Sequence, residues 1–190
     1  CNYTFFVQQD IPEMIEFYGG NDAFEKKLDQ MFSETSKTTG REQVDVTGLI
    51  GQYAHGNEPS HHVAYLYNYI GKPEKTKEKV QYILENFYKN SPDGLIGNED
   101  CGQMSSWYIL SSMGLYCVTP GSGEWQSTEP IFSEVKINLE DGKTLIFKNK
   151  KDIDDWVHSS ANPEQKPTVK TKKNALSPII KFNNRSFQEK

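Results

Sequence analysis

The sequence predicts a mainly α-helical fold with a small antiparallel β element at its C-terminal end. Apolar residues recur at helical spacing through about the first two-thirds of the chain, and each run carries its own start and stop signals. Beyond Pro120 the texture changes to the Gly/Ser/Pro-rich TPGSGEWQSTEP, then to two alternating segments about an Asp-Gly turn. The 190 residues suffice for one ordinary domain or two small ones and for a sizeable core, so the reading divides the chain into residues 1–120 and 121–190.

The elements follow in order. Ile11, Met14, Ile15 and Tyr18 form one helical stripe, with Asp10 as cap, Pro12 in the first turn and Gly19-Gly20 as the stop. A second stripe, Phe24, Leu28, Met31 and Phe32, opens at Asn21 or Asp22. A third helix is expected from a Ser60 cap through Val63, Leu66, Tyr67 and Ile70 to Gly71, and a fourth from Pro73 along Val80, Ile83, Leu84 and Phe87. The short link between these two forces an antiparallel helical hairpin. A fifth helix, from about Cys101 to Met113 with Gly114 as its stop, is apolar on several faces and so is expected to be buried. The segments SEVKINL and KTLIFKNK read as a hairpin around Glu140-Asp141-Gly142, the lysine-rich NPEQKPTVKTKKNALSP as a linker or surface loop, and Ile179 to Phe182 as a last short strand.

Composition narrows the function classes. With 35% hydrophobic and 25% charged residues and a net charge of −5, the chain fits neither a disordered class nor a basic nucleic-acid binder. No apolar run reaches the roughly 20 residues that a membrane helix needs, and CNYTFFVQQD lacks the basic flank of a signal peptide. Three cysteines, Cys1, Cys101 and Cys117, are too few for a disulfide framework, and Cys101 and Cys117 at opposite ends of a helix are expected as free thiols. Cys1 reads as a cut or processed start, with the lipid-bearing residue of a lipoprotein as the alternative.

Two segments do not read as scaffold. HGNEPSHH (55–62) and DGLIGNEDCGQMSSWY (93–108) are Gly-containing loops rich in carboxylate, amide and imidazole, each leading into an apolar helix. Asp100 is expected to cap the fifth helix; the positive end of a helix favours an ionised carboxylate, which suits a general base. Glu99, on an extended loop, points away from Asp100 and reads as structural. His55, His61 and His62 are three of the four histidines, and that concentration marks a polar pocket or a local hydrogen-bond network. The H-E-x-x-H pattern of zinc hydrolases is absent, whereas the Glu58 carboxylate, the Asn57 amide and loop carbonyls suit a hard, oxygen-preferring cation. The aromatic residues fall mostly on helix stripes and read as packing; Trp107 and Tyr108, near the second loop, are the exceptions considered for sugar contact.

In these same strings, HGNEPSHH and GNEDCGQMSSWY supported by GLIGQYAHGNEP, the chain from about Tyr3 to Pro120 resembles glycoside hydrolase family 92, the calcium-dependent α-mannosidases. The resemblance implies part of an (α/α)6 toroid and an exo-acting, inverting hydrolysis of α-mannosides, α-1,2-linked in glycans. It implies Ca2+ as cofactor, with Glu58 and Asn57 as its ligands. It places Asp100 as catalytic base and Asn98 beside it at a position where many relatives have aspartate, and it assigns His55, His61, His62 and Glu99 to substrate binding or to the pocket around it. The implied partner is a mannose-containing oligosaccharide, and the implied location is the periplasm, the cell surface or the exterior. The general acid is not found among these residues. The expectation is therefore a C-terminal portion that shares its site with an N-terminal part preceding Cys1 and is inactive alone. A noncatalytic calcium- or mannose-binding helical module is the alternative, and a zinc-dependent hydrolase the alternative enzyme.

Overall fold

A computed structural model of the chain describes residues 3–37 and 43–160 and the backbone of 180–184. It forms two compact units, residues 1–109 and 110–190, so the division falls earlier than the change in texture at Pro120.

The first unit is built on helices where the apolar stripes predict them. Helix α1 (Ile11–Phe17) starts where Asp10 accepts the Glu13 N–H at 3.0 Å, and it buries Ile11, Met14 and Ile15. Its chain reverses through Gly19 and Gly20, whose φ values of 97° and 91° favour glycine. Helix α2 (Asn21–Ser33) follows with Gly20 at its cap position, and buries Phe24, Leu28, Met31 and Phe32. Helix α4 (Pro73–Asn86) has proline in its first turn, where no N–H is needed, and turns Thr76, Val80, Ile83 and Leu84 inward. Lys75 of α4 ties these helices together through Glu25 at 2.8 Å and Asp29 at 2.6 Å, and Asp29 also accepts the Tyr67 hydroxyl at 2.9 Å.

The third predicted helix is shortened. Only α3 (Leu66–Tyr69) is α-helical, and 3₁₀ turns at Glu58–Ser60 and Val63–Tyr65 occupy the stretch before it. Ser60 makes no capping hydrogen bond; its hydroxyl is buried without a hydrogen-bond partner. The backbone here closes i to i−3, as in His61 N–H to the Glu58 carbonyl at 3.0 Å and Tyr65 N–H to the His62 carbonyl at 3.0 Å. Between the first two helical stretches and this region, β1 (Leu49–Ile50) and β2 (Tyr53–Ala54) pair antiparallel.

Helix α5 (Gln103–Ser112) starts two residues later than predicted, and the unit boundary lies within it, between Ile109 and Leu110. Met104 and Trp107 are fully buried, as the apolar faces imply.

In the second unit β3 (Leu115–Tyr116) pairs with β4 (Gln126–Ser127), and β5 (Phe132–Asn138) is the centre of a three-stranded antiparallel sheet. It pairs with β6 (Thr144–Phe147) in the expected hairpin and with β7 (Ile180–Asn184), which replaces the strand expected at 179–182. Gly142, with φ of 82°, donates to the Leu139 carbonyl at 3.0 Å in the turn. The sequence reading missed α6 (Lys150–Ser160), although its signals are present: Asn149 accepts the Asp152 N–H at 3.1 Å, and Ile153, Trp156 and Val157 form its inner stripe. Met113, Leu115, Val135, Phe147 and Ile153 make the buried core of this unit. The lysine-rich linker expected at 162–178 lies outside the described residues. Cys101 and Cys117 are free thiols, as expected, and no described helix is long and apolar enough to cross a membrane.

The α4 stripe gives a direct test of this packing. Ile83 is fully buried, so Ile83→Ala is expected to cost about 2–5 kcal/mol, read as a lower denaturant midpoint with an unchanged m-value.

Candidate active site

Three segments of the first unit meet at the two polar loops. Residues 45–48 run beside 55–56, with His55 N–H donating to the Gly48 carbonyl at 3.0 Å and Gly56 N–H to the Thr47 carbonyl at 3.1 Å. The loop ending in Asp100 lies against both Thr47 and Gly56. A Cβ built on Gly97 would stand 3.1 Å from the Gly56 Cα and 3.1 Å from the Thr47 hydroxyl, and one on Gly56 would overlap that hydroxyl outright. Neither glycine is needed for a left-handed turn; Gly56 leaves room for the Thr47 side chain, and Gly97 lets its backbone approach that of Gly56. This contact sets Asn57-Glu58 beside Asn98–Asp100.

The carboxyls of Glu58 and Asp100 come within hydrogen-bonding reach of each other. Burial, the Asp100 carboxyl and the charge of Asp45 hold Glu58 above the usual carboxylate range. Glu58 Oε1 is itself buried without a hydrogen-bond partner. Two acceptors facing each other need a proton or a cation between them, so the arrangement fits a hard divalent ion. Among the described residues no three His, Cys, Asp or Glu side chains group as metal ligands, so amide and backbone oxygens, Asn57 among them, would complete the set. Asp45, which the sequence reading missed, accepts the Asn98 side-chain N–H at 3.3 Å. Its signal was weak, a lone acid in DVTGLIG without a motif of its own.

Asp100 does not cap α5. It and Cys101 stand at φ of 48° and 57°, a left-handed conformation costly for residues other than glycine, followed by Gly102 at 89°. Glu99 takes the capping role instead, accepting the Ser105 N–H at 3.0 Å and the Ser105 hydroxyl at 2.6 Å, and these bonds hold its carboxyl below the usual range. These two bonds tie Glu99 to the first turn of α5. A cleft of about 520 Å3 lies along Glu99, with Tyr88, Ser105 and Tyr108 in its wall.

The three histidines are at most 1% exposed. His55 lies between the hydroxyls of Tyr53, 2.8 Å from Nδ1, and Tyr88, 2.7 Å from Nε2, and packs on the rings of His61 and Trp107. Tyr88 donates its own proton to the Met104 carbonyl at 3.2 Å, so His55 Nε2 is the donor to Tyr88 and Nδ1 accepts from Tyr53. His61 Nε2 donates to the His55 carbonyl at 2.9 Å, and its Nδ1 accepts from Gln103 at 3.1 Å. His62 Nε2 donates to the Phe5 carbonyl at 2.8 Å. Trp107 donates to the His61 carbonyl at 3.0 Å, which makes it a core residue. These contacts shape the first loop from within. They also engage both ring nitrogens of His55 and of His61, while His62 Nδ1 is buried without a hydrogen-bond partner.

Three expectations follow. Gly56→Ala is expected to destabilise the fold by about 1–3 kcal/mol through overpacking, and Thr47→Ala in the same chain to restore much of that loss, in a thermal-melt double-mutant cycle. Burial lowers all three histidines, His61 to about 4, further depressed by His62, with His55 also opposed by His61. Groups held neutral in the fold contribute stability above their unfolded value of 6.5 and lose it as pH falls, so denaturant melts should show stability dropping from pH 6.5 toward 4, His61 alone accounting for roughly 3 kcal/mol. Glu58 works in the opposite sense, since a raised carboxyl stabilises when protonated and costs stability as pH rises through its folded value. With divalent cations chelated, Glu58→Gln is therefore expected to raise the melting temperature at neutral pH and to leave it unchanged below about pH 4.

The chain matches the model of the glycosyl hydrolase family 92 catalytic domain over residues 1–177. An uncharacterized secreted glycosidase of Arthroderma benhamiae is 27% identical over 146 residues, which are 76% of this chain and 17% of that protein. A family GH92 α-mannosidase of Bacteroides thetaiotaomicron, solved in complex with mannoimidazole, is similar with a TM-score of 0.70 and 39% identity over 76% of this chain and 19% of its own. An inverting mannosidase of that family from the same organism gives 0.62 and 34% over 76% and 21%. The chain thus spans about a fifth of the length of these relatives. With the matched region covering most of its residues, the chain belongs to glycoside hydrolase family 92.

Proposed function

We propose that the chain is the C-terminal part of an exo-acting, inverting α-mannosidase that removes α-1,2-linked mannose from glycans outside the cytoplasm, its helices forming part of an (α/α)6 toroid. The convergence of Glu58 and Asp100 from two loops carries this reading. Glu58 and Asn57, with loop carbonyls, would hold a calcium ion. When bound, that ion supplies a fixed positive charge that orients sugar hydroxyls.

Asp100 is the base of this reading. Its carboxylate takes a proton from the water that attacks the anomeric carbon, on the face opposite the leaving group. Glu58 is not the matching acid. An inverting pair stands about 6.5–9.5 Å apart to admit the water, whereas Glu58 and Asp100 are within hydrogen-bonding reach. The acid is thus a third carboxyl, supplied by a part of the enzyme outside the described residues, and the isolated chain is expected to bind without turnover. The three buried histidines and Glu99 support the loops that carry the reacting groups; their substrate-binding role is kept as that of residues forming the pocket around the sugar.

In the full-length enzyme, Asp100→Asn is expected to lower kcat on an α-1,2-mannobiose by about 10²–10⁴-fold with KM little changed. A loss below about tenfold would remove Asp100 as base. Calorimetry of the 190-residue chain reads calcium and mannose binding in either case; turnover when the rest of the enzyme is present separates the catalytic part from a binding module, since only the former gains it.

A further inference from the structure

The Asn98 side chain can present either of two chemically opposite groups to its surroundings, an N–H₂ donor or a carbonyl acceptor. Asp45 decides which. Its carboxylate only accepts, and it takes the Asn98 Nδ2–H at 3.3 Å, so Oδ1 is turned away from Asp45 as an acceptor. Asp45 is in turn fixed by the backbone. Val46 N–H donates to the Gln43 carbonyl at 3.1 Å, Gly56 N–H to the Thr47 carbonyl at 3.1 Å, and a Cβ on Gly56 would stand 3.3 Å from the Asp45 carbonyl oxygen. The same contact that brings Gly56 against Gly97 therefore places Asp45 next to Asn98, two residues from Asp100, in one cluster with Glu58.

Resting on the reading of Asp100 as base, we infer that Asp45 is a positioning residue: it orients the Asn98 amide so that Oδ1 and the Asp100 carboxylate offer two acceptors to the two protons of one attacking water. A water that donates both protons directs its lone pair outward, toward the sugar carbon, which is the orientation an in-line attack needs. One proton passes to Asp100 as the new C–O bond forms and the glycosidic C–O bond on the opposite face breaks, its oxygen leaving with a proton from the general acid; the other proton stays on the new hydroxyl, held by Asn98. Asparagine in this role aims the water and takes no proton.

The test is a rescue in the full-length enzyme, with Asp100→Asn as the reference. Asp45→Ala frees the amide to rotate and is expected to lower kcat by about ten- to a hundredfold with KM unchanged. Asp45→Ala in an Asn98→Ala background is expected to cost nothing further. Asp45→Ala with Asn98→Asp is expected to regain most of kcat, because a carboxylate presents an acceptor whichever way it turns. Additive losses, or no rescue by Asn98→Asp, would overturn the inference while a large loss in Asp100→Asn left the base standing. An unchanged rate in Asp100→Asn would instead remove the base and this inference with it. In the 190-residue chain, the Asn98 side-chain amide proton resonances should move on Asp45→Ala; if they do not, the hydrogen bond is absent in solution and the inference fails without recourse to activity.

Discussion

The approach of Gly56 to Gly97, roofed by the Thr47 hydroxyl, is the constraint on which the candidate site depends. Two loops more than forty residues apart in sequence carry the acids, and neither carries enough of them alone. Only where the side chains are reduced to hydrogen do the two backbones come close enough for Glu58 and Asp100 to meet. The glycine in H-G-N-E makes room for the Thr47 side chain and the one in G-N-E-D for the Gly56 backbone, and both meet the same Thr47 hydroxyl. A methyl group at either position would be felt as steric overlap in the core and also as displacement of the reacting groups.

The first loop is held in an irregular path by buried imidazoles. His61 and His62 turn inward and donate to the carbonyls of His55 and Phe5, which ties the loop to the segments before it. That arrangement works only with neutral rings, because the surroundings are apolar and a buried imidazolium would lack a counter-charge. The loop that presents Asn57 and Glu58 is therefore rigid near neutrality and weakened by acid. Strain is stored on the opposite side, in the left-handed backbone at Asp100 and Cys101, where the Glu99 bonds to Ser105 anchor the helix that follows.

Much of this was legible in the sequence, and the reasons for the rest are physical. The stripes of α1, α2 and α4 and the Asp-Gly hairpin follow local rules of periodicity and capping, and they stand where those rules place them. The cap of α5 went to Glu99 instead of Asp100 because three left-handed residues intervene, a conformation that composition does not announce. The shortening of the third helix arises from tertiary hydrogen bonds by His61 and His62 that a stripe of apolar residues cannot reveal. Asp45 is the clearest omission at the site, since only the packing of residues 45–48 against Gly56 brings it to Asn98. Helix α6 was readable from Asn149, Asp152 and the Ile153-Trp156-Val157 stripe, and was passed over because its polar residues blend into the tail.

Residues 58 and 100 form one shared site. A crystal structure of the chain grown with a lanthanide in place of calcium would test it most directly through the anomalous signal. The account predicts a single strong peak about 2.3–2.6 Å from a Glu58 carboxylate oxygen with the Asp100 carboxyl beside it. A peak elsewhere, or carboxyls of Glu58 and Asp100 turned to separate faces of the unit, would contradict it.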